Sequence, residues 1–395
     1  MNATLSALAK LRPNPNWAKL PLFNRKNWSR VRFDDVVENL NETCDPAAAG
    51  LERVIAMEHL EPGSLHIRAW SKVADGTTFT RRCRPGQLLF GKRRAYQRKV
   101  AVAEFDAVVS GDIYVLAPKG DRLLPELLPF FCLSERFFQH AVGTSAGSLS
   151  PRTNWSSLAS FEFDLPPLDQ QRRIAEILWA VDEAEQMQNK LVSTISVAQE
   201  AWFENALGGT EPNEIEINDL GQIITGTTPK TSEPSYYDPQ ECLFVSPADI
   251  SDIRYVTSTE KRISKVGLDT GRPIPRDAVM VVCIGSTIGK VAMASEWCLT
   301  NQQINSVVCK SDHNPLVVYF ALRRQQKLFR QVASCTAVPI LNKGNFSALK
   351  IPFPKNGAEQ VIAERLLDFE SSVENAKASV EASRNLKTNL TNSLL

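Results

Sequence analysis

The residues of this chain that could bind a charged ligand are concentrated in residues 81–99. This stretch holds eight basic side chains and no acidic one: Arg81, Arg82, Arg84, Lys92, Arg93, Arg94, Arg98 and Lys99. Lys and Arg neutralise phosphates, and the planar fork of Arg can bond guanine in the major groove. The stretch therefore predicts DNA contact, with Tyr96 at the tip of a predicted hairpin. The alternative is a solvated loop whose charge is balanced by acids elsewhere.

The second half of the chain holds fewer candidates for the same chemistry. They are Lys230, Tyr236, Tyr237 and Lys290. The two tyrosines follow a turn-rich segment, and their positions are as consistent with local packing as with ligand contact. Residues 285–290 (GSTIGK) resemble a phosphate-binding loop, but the loop is one residue short and Val291 replaces the Ser or Thr that would hold Mg²⁺. We interpret this segment as a turn between two strands.

Catalytic signals are sparse in the sequence. It contains no G-x-G-x-x-G dinucleotide motif, no H-E-x-x-H zinc motif, and no Asn/Asp-Pro-Pro-aromatic loop of the kind that amino-methyltransferases carry. The eight cysteines form no C-x-x-C pair, and with only four histidines there is no zinc spacing. We expect no catalytic residue and no metal site, although a set of carboxylates brought together by folding would escape this test.

Composition and charge set wider limits. A chain of 395 residues with a formal charge of +1 predicts two or three domains without a uniformly basic surface. We expect a cytoplasmic protein with reduced thiols, because no signal pattern and no apolar run of about 18 residues is present. Residues 1–30 are predicted to be a polar leader with a possible short helix at Thr4–Leu11.

The candidate DNA-contact residues lie in two segments with a similar predicted secondary structure. Each is predicted to contain short strands followed by a helix, at Leu123–Phe138 in the first segment and at Pro315–Gln331 in the second. The predicted strands are Arg53–Met57, Gln87–Phe90, Lys99–Phe105, Asp112–Ala117, Leu243–Ser246, Ala278–Ile284, Lys290–Ala294 and Asn305–Cys309. Asn154-Trp-Ser and Asn345-Phe-Ser are weak identities that indicate a repeat.

A long helical pattern follows each β-rich segment, and the two patterns are related by sequence. Ile174-Ala-Glu and Ile362-Ala-Glu lie 188 residues apart, and Gly208-Gly209 is a predicted helix end. Apolar residues recur with a heptad period in both patterns, which predicts a helix–helix seam. The seam of the first pattern is Ile174, Ile177, Val181, Ala184, Gln188, Leu191, Ile195, Ala198 and Trp202. The seam of the second pattern is Ile362, Leu366, Phe369, Val373, Ala376, Val380, Leu390 and Leu394, interrupted by Ser383 and Lys387.

Helices of about 40 residues, roughly 60 Å, are too long to bury their stripes inside one small domain. We therefore predict an α+β protein with a pseudo-two-fold internal repeat, in which two β-rich domains are separated by two long helices that form an antiparallel coiled coil. The alternative is a pair of ordinary amphipathic core helices in one large domain. The predicted segments are residues 1–160 (leader and first domain), 161–207 (helix), 208–348 (second domain) and 349–395 (helix).

Several motifs resemble the specificity (S) subunits of type I restriction-modification enzymes. Leu165-Pro-Pro-Leu168 followed by Gln170-Gln-Arg172-Arg173-Ile174 is similar to the proline-leucine opening and Glu-Gln-Arg-Arg-Ile helix start of that family. Gly226-Thr-Thr-Pro229 with Tyr236-Tyr237 resembles the opening of a family recognition domain. The first domain lacks this opening, and the second helix begins Glu359-Gln-Val-Ile without the Arg pair.

The resemblance implies two target recognition domains, each reading one half of a split double-stranded DNA site. It also implies two docked methyltransferase subunits and motor-nuclease restriction subunits, with AdoMet, ATP and Mg²⁺ bound by those partners. The helix residues expected to dock partners or space the domains are Arg172, Arg173, Ile174, Val181, Leu191, Ile195, Trp202, Ile362, Leu366, Phe369 and Val373. The rival hypothesis is a coiled-coil scaffold whose β-rich domains bind proteins and have no DNA role.

Overall fold

The computed structural model describes residues 24–147, 149–209, 212–333, 338–355 and 357–395. They form two compact units. The first comprises the described residues up to Leu191 together with Asn375–Leu395, and the second is Val192–Glu374. The possible helix at Thr4–Leu11 lies outside the described residues. Each unit contains part of both long helices.

The first unit contains a β-rich domain of three sheets. Its described strands are β1 (Ser29–Arg32), β2 (Val37–Leu40), β3 (Arg53–Ile55), β4 (Ser71–Lys72), β5 (Arg81–Cys83), β6 (Leu88–Gly91), β7 (Val100–Val102), β8 (Ala107–Val109), β9 (Ile113–Pro118) and β10 (Glu162–Leu165). The strand orders are β2-β9-β6-β7, β4-β3-β8-β5 and β1-β10. All these pairs are antiparallel except β3 with β8, in which Val54 faces Val108.

The second unit repeats this plan. Its described strands are β11 (Glu214–Glu216), β12 (Gly221–Thr225), β13 (Cys242–Val245), β14 (Tyr255–Val256), β15 (Lys261–Ile263), β16 (Val279–Val282), β17 (Val291–Ala294), β18 (Cys298–Thr300), β19 (Ile304–Cys309) and β20 (Lys350–Pro352). The strand orders are β12-β19-β16-β17-β14, β15-β13-β18 and β11-β20. The predicted repeat is confirmed by the shared order of β2-β9-β6-β7 and β12-β19-β16-β17 and by the parallel pair β13–β18, in which Leu243 faces Cys298. Among the described strands, β14, which runs parallel to β17, has no counterpart in the first unit, and β5 has none in the second.

The described helices complete the repeat. They are α1 (Phe33–Val36), α2 (Leu128–Leu133), α3 (Glu135–Gly143), α4 (Trp155–Ala159), α5 (Leu168–Ala206), α6 (Ile217–Leu220), α7 (Lys265–Asp269), α8 (Pro315–Arg323), α9 (Gln326–Val332), α10 (Lys343–Ala348) and α11 (Glu359–Leu394). The helix predicted at Leu123–Phe138 is two helices, because Ser134 leaves helical geometry to cap α3 through Phe137 N–H. Asn154 precedes α4 and Asn342 precedes α10, so these two asparagines are structurally equivalent. The sequence comparison had matched Asn154 with Asn345, which is three residues too far along the chain.

Successive side chains of a strand point to opposite faces of its sheet, so alternate residues of the central strands pack in two different cores. In β6, Leu88 and Phe90 pack with the helices, whereas Leu89 packs with Ile55 and Val115 against the second sheet. Strand β16 repeats the arrangement: Val279 and Val281 face the helices, and Met280 and Val282 face the other sheet. Each β-rich domain is therefore layered as helix, sheet and sheet.

The second long helix, α11, buries the stripe that its sequence predicts. Leu366, Ala376 and Leu394 are buried, and Phe369 and Val373 are half-buried. Lys387, which interrupts the apolar stripe, is also buried, with 4% of its surface exposed. The heptad prediction for α11 is confirmed, and the interruption is part of the contact surface.

The first long helix, α5, has the predicted period but not the predicted phase. Ile174 is buried as predicted, but Ala175, Leu178, Asp182 and Glu185, which are also buried in the first unit, lie one position after the predicted seam. Leu191, assigned to the seam, is 41% exposed. The prediction was wrong by one residue because it followed apolar side chains, whereas two carboxylates occupy the seam. After Ala206 the helix ends at Gly208 and Gly209, whose positive φ values of 110° and 58° confirm the predicted end.

Within each unit the two long helices run antiparallel. In the first unit, Asp182 pairs with Lys387 and the later Glu185 pairs with the earlier Arg384. In the second unit, the Trp202 ring lies 5.7 Å from the Phe369 ring. The residue numbers of the pairs rise on α5 as they fall on α11, as an antiparallel pair requires. None of the helices among the described residues has the length and apolar character to cross a membrane.

Candidate nucleic-acid interface

The basic residues at the start of the 81–99 stretch lie on and after β5, and acids from distant segments pair with them. Arg82 Nη2 lies 3.1 Å from Asp106 Oδ1, and Arg84 Nη2 lies 2.6 Å from Glu42 Oε1. Arg81 donates to the carbonyl oxygen of Ile113 at 2.8 Å. Residues 81–99 contain no acidic side chain, but acidic side chains from other segments lie beside them in the folded domain. The folded domain supplies them, as the solvated-loop alternative requires.

Four further basic residues lie around the connection between β6 and β7 and are held by local contacts. Arg93 Nη1 lies 3.5 Å from Asp112 Oδ2, and Lys99 Nζ donates to Met57 O at 2.6 Å. Arg98 pairs with Glu135. The Lys92 ammonium lies 4.9 Å from the centre of the Tyr114 ring, and burial, followed by the nearby Arg81, lowers the pKa of Lys92. These contacts indicate roles in holding the domain together.

Two candidates remain at the end of the hairpin, in the segment that we call the β6–β7 turn (Arg94–Arg98). The Tyr96 side chain is 55% exposed, as expected for a residue at a hairpin tip. The Arg94 side chain makes no ion pair or hydrogen bond within the described residues, and its Nε is buried without a partner. The sequence predicted the hairpin but could not separate Arg94 from the seven cations around it.

Of the four candidates in the second β-rich domain, two are held by side-chain hydrogen bonds to other described residues and two are not. Tyr237 donates its hydroxyl to Pro229 O at 2.7 Å, and Lys290 donates to Ile250 O at 3.1 Å, so both contribute to local packing. Tyr236 is half-buried and Lys230 is exposed. Lys290 closes the predicted turn between β16 and β17, which confirms that residues 285–290 are a strand connection.

One motif that the sequence reasoning missed is Gly143-Thr-Ser-Ala-Gly147, which has the G-x-S-x-G pattern of hydrolase nucleophiles. In those enzymes the serine lies on a sharp turn from a strand into a helix. Here the segment begins at the last residue of α3, and Ser145 Oγ donates to Ala141 O at 2.7 Å. The geometry therefore gives Ser145 the role of closing the last helical turn.

Two residues at the start of the long helices anchor those helices to their own units. The Gln171 side chain accepts from Leu124 N at 2.9 Å and donates to Arg122 O at 2.7 Å. Glu359, 188 residues later, accepts from Asn314 N at 2.7 Å and lies 2.9 Å from His313 Nδ1. Neither residue was singled out from the sequence, although both lie in the motif quoted for the helix starts.

The exposed pair Arg172 and Arg173 follows Gln171 on the outer face of α5. Of the other helix candidates, Ile174, Ile362 and Leu366 are buried in the cores, and Val181 and Ile195 are half-buried. The buried residues serve packing within each unit. Arg172, Arg173 and Leu191 remain accessible for partner docking, which stays a prediction.

A buried polar cluster links the first β-rich domain to both long helices of its unit. Lys387 Nζ lies 2.8 Å from Asp182 Oδ1 and 2.6 Å from Glu185 Oε2. Asp182 Oδ2 lies 2.7 Å from His66 Nε2, and His66 Nδ1 lies 2.8 Å from Glu104. The bond to Asp182 raises the pKa of His66 against the opposing effect of burial. Burial raises the pKa of Asp182, but His66 and Lys387 outweigh it, so the pKa of Asp182 is lowered.

The thiols lie mainly in the domain cores. Burial raises the pKa to about 12 for each of four cysteines, which are Cys83, Cys283, Cys298 and Cys309. Cys132 is fully buried, Cys44 and Cys242 are half-buried, and Cys335 lies outside the described residues. In the part of the chain that the structure describes, no group of three or more His, Cys, Asp or Glu side chains is arranged to hold a metal ion.

Two known proteins are similar to this chain in sequence. The specificity subunit of the type I restriction enzyme HindI from Haemophilus influenzae is 22% identical over 377 residues, which cover 74% of this chain and 82% of that protein. The EcoDI specificity subunit from Escherichia coli is 26% identical over 196 residues, 46% of this chain and 42% of that protein.

Two solved structures show the same fold at low identity. One, from work on complex assembly and conformational transition of the type I R-M system, has a TM-score of 0.59 at 18% identity and covers 93% of this chain and 96% of its own. The type I S subunit from M. genitalium has a TM-score of 0.53 at 13% identity, with the same coverage.

The family assignment rests on both halves of the chain. Residues 25–195 and 211–382 each match the model of the type I restriction modification DNA specificity domain. The two matches coincide with the two copies of the strand plan, and they confirm the resemblance inferred from the helix-start motif. This chain belongs to the family of type I restriction-modification specificity proteins.

Proposed function

We propose that this chain supplies the DNA sequence specificity of a type I restriction-modification complex in the cytoplasm. Each β-rich domain reads one half of a bipartite double-stranded site. The observation that carries the proposal is the duplicated strand plan, β1–β10 and β11–β20, in two segments that each match a DNA specificity domain. Two similar readers in one chain suit a target made of two half-sites, and they favour this function over a scaffold without a DNA role.

The chain acts in this proposal as a non-catalytic subunit. The exposed faces of the long helices dock two methyltransferase subunits, and restriction subunits join for cleavage. AdoMet, ATP and Mg²⁺ belong to those partners. DNA contacts come from the basic stretch of the first domain and from Lys230, Tyr236, Tyr237 and Lys290 of the second. Among these, Arg94, Tyr96 and Lys230 are the side chains that local contacts engage least, which supports their assignment to the interface.

A domain exchange tests the proposal. Residues 208–348 would be replaced by the equivalent segment of another specificity subunit, and the methylated motif of a host expressing the chimera with its methyltransferase would be sequenced. One half of the motif should change and the other should remain. A folded chimera that alters both halves, or a wild-type complex that methylates no bipartite motif, would refute the proposal.

The helix pair is proposed to set the gap between the half-sites. One heptad inserted in both helices, after Gln188 and after Ala376, adds about 10 Å of helix and keeps the seam in phase. This length corresponds to about three base pairs, counted at about 3.4 Å each. The expected result is a methylated motif with the same halves and a longer gap, and an active variant with an unchanged gap would disprove the spacer role.

A further inference from the structure

Two turns at equivalent places in the two domains have related backbones. The β6–β7 turn (Arg94–Arg98) and the β16–β17 turn (Gly285–Gly289) both begin and end at positive φ. The values are 52° and 53° in the first turn and 97° and 86° in the second. Arg94 N donates to Pro151 O at 2.7 Å, and Gly285 N donates to Pro339 O at 3.0 Å. The equivalence is therefore fixed by hydrogen bonds as well as by strand order.

The residues at the two strained positions differ between the domains. Glycine adopts positive φ without a steric penalty, and the second domain has glycine at both positions. The first domain has arginine at both, and among the described residues the only other residue besides glycine with positive φ is Asp277. Because the backbone itself favours glycine, the arginine side chains must contribute something that offsets the strain.

For Arg98 that contribution is visible within the domain. Its guanidinium pairs with Glu135 and lies 5.2 Å from the centre of the Phe138 ring. Arg94 has no comparable partner within the described residues. Its Nε is buried without a hydrogen bond, as is that of Arg93, but the Arg93 guanidinium also pairs with Asp112. The neighbouring Arg93 and Arg152 share a single carboxylate, Asp112, so the surroundings of Arg94 remain basic. The described residues therefore offer the Arg94 side chain no acceptor, and a group that satisfies it must accept hydrogen bonds.

We propose that Arg94, presented beside Tyr96 on the strained turn, reads a guanine in the half-site recognised by the first β-rich domain. This inference rests on the proposed function and names the residue that carries it. A contact to phosphate alone would not require an arginine at a fixed, strained position, since Arg93 and Arg152 already supply positive charge nearby. The planar guanidinium fork of arginine suits the paired O6 and N7 acceptors of guanine.

The test is Arg94→Gly in the assembled methyltransferase. Glycine suits the backbone at this position, so the melting temperature should stay unchanged or rise. The purified complex would be assayed on its methylated motif and on duplexes changed at one base pair at a time. Methylation of the cognate duplex should fall about 5- to 150-fold, and the preference should relax at one base pair of one half-site. The half-site is the one that the domain exchange leaves unchanged.

Two further variants serve as controls. Arg136→Ala removes an exposed arginine from α3 of the same domain and should leave the motif unaltered. Arg98→Gly relieves the same backbone strain but removes the ion pair with Glu135. Its melting temperature should therefore fall, whereas that of Arg94→Gly should not.

Two results would overturn the inference. One is an Arg94→Gly complex with the wild-type motif and activity. The other is uniform weakening on all sequences with a smaller salt dependence, which marks a phosphate contact. A wild-type complex with no bipartite motif would instead refute the proposed function on which the inference rests.

Discussion

The two long helices contact each other through opposite chemistry in the two units. In the first unit the seam contains Asp182, Glu185 and Lys387, each no more than 4% exposed. In the second unit the α11 seam is apolar, with Ile362, Leu366 and Phe369 facing α5 or the core. Apolar burial stabilises a helix pair but tolerates shifts, whereas buried charges allow only the register that pairs them. The first unit therefore specifies the register, and the second contributes apolar burial.

The contrast is clearest at one pair of equivalent positions, Asp182 on α5 and Glu370 on α11. Each carboxylate meets a basic side chain from its own β-rich domain, His66 in the first unit and Arg254 in the second. Asp182 also pairs with Lys387, whereas Gln199, 188 residues before Lys387, leaves Nε2 buried without a partner. The pKa of Asp182 is accordingly lowered, while burial raises the pKa of Glu370 despite Arg254.

The largest expected effect is that of Lys387→Met. It leaves Asp182 and Glu185 buried without the shared ammonium, which should reduce the free energy of unfolding of the first unit by about 3–5 kcal/mol. Chemical denaturation of the assembled complex would measure the loss. The matched control replaces all three charges with Leu, Leu and Met, which should be close to neutral. A loss below about 1 kcal/mol for Lys387→Met, as for an exposed pair, would contradict the charged seam.

A smaller effect separates the two equivalent carboxylates. Asp182→Asn removes the negative charge from a fully buried group with charged partners and should cost about 1.5–3 kcal/mol. Glu370→Gln changes a partly exposed group and should cost less than about 1 kcal/mol. Both variants keep the side-chain shape, so their melting temperatures are directly comparable. Equal losses would show that Lys387 adds nothing to the first site.

The smallest effect is a pH dependence confined to the first unit. A raised pKa means that the contribution of His66 is fully present below its unfolded value near 6.5 and is lost as pH rises through its folded pKa. Stability should therefore decline as the pH rises above the unfolded pKa near 6.5, and His66→Gln should remove that decline. The measurement is the melting temperature as a function of pH. An identical profile in His66→Gln would assign the titration to another group.

Sequence periodicity predicted eight of the twenty described strands, and the α11 seam, because those segments bury apolar residues at regular intervals. It misplaced the α5 seam because Asp182 and Glu185 are buried only when Lys387, about 200 residues later, folds against them. The acids that pair with the basic stretch could not be predicted for the same reason, since Glu42, Asp112 and Glu135 approach it only in the folded domain. Glycine marks positive φ at Gly285, but nothing in the sequence marks it at Arg94.

The buried thiols allow the opening of each β-rich domain to be measured separately. At neutral pH a thiol with a pKa of about 12 is almost entirely protonated and unreactive, so modification of Cys83 in one domain, or of Cys298 in the other, must wait for that domain to open. Neither long helix contains a cysteine, so helix fraying adds no background. Labelling rates at these two sites would therefore time the opening of each domain in the intact complex, with or without DNA.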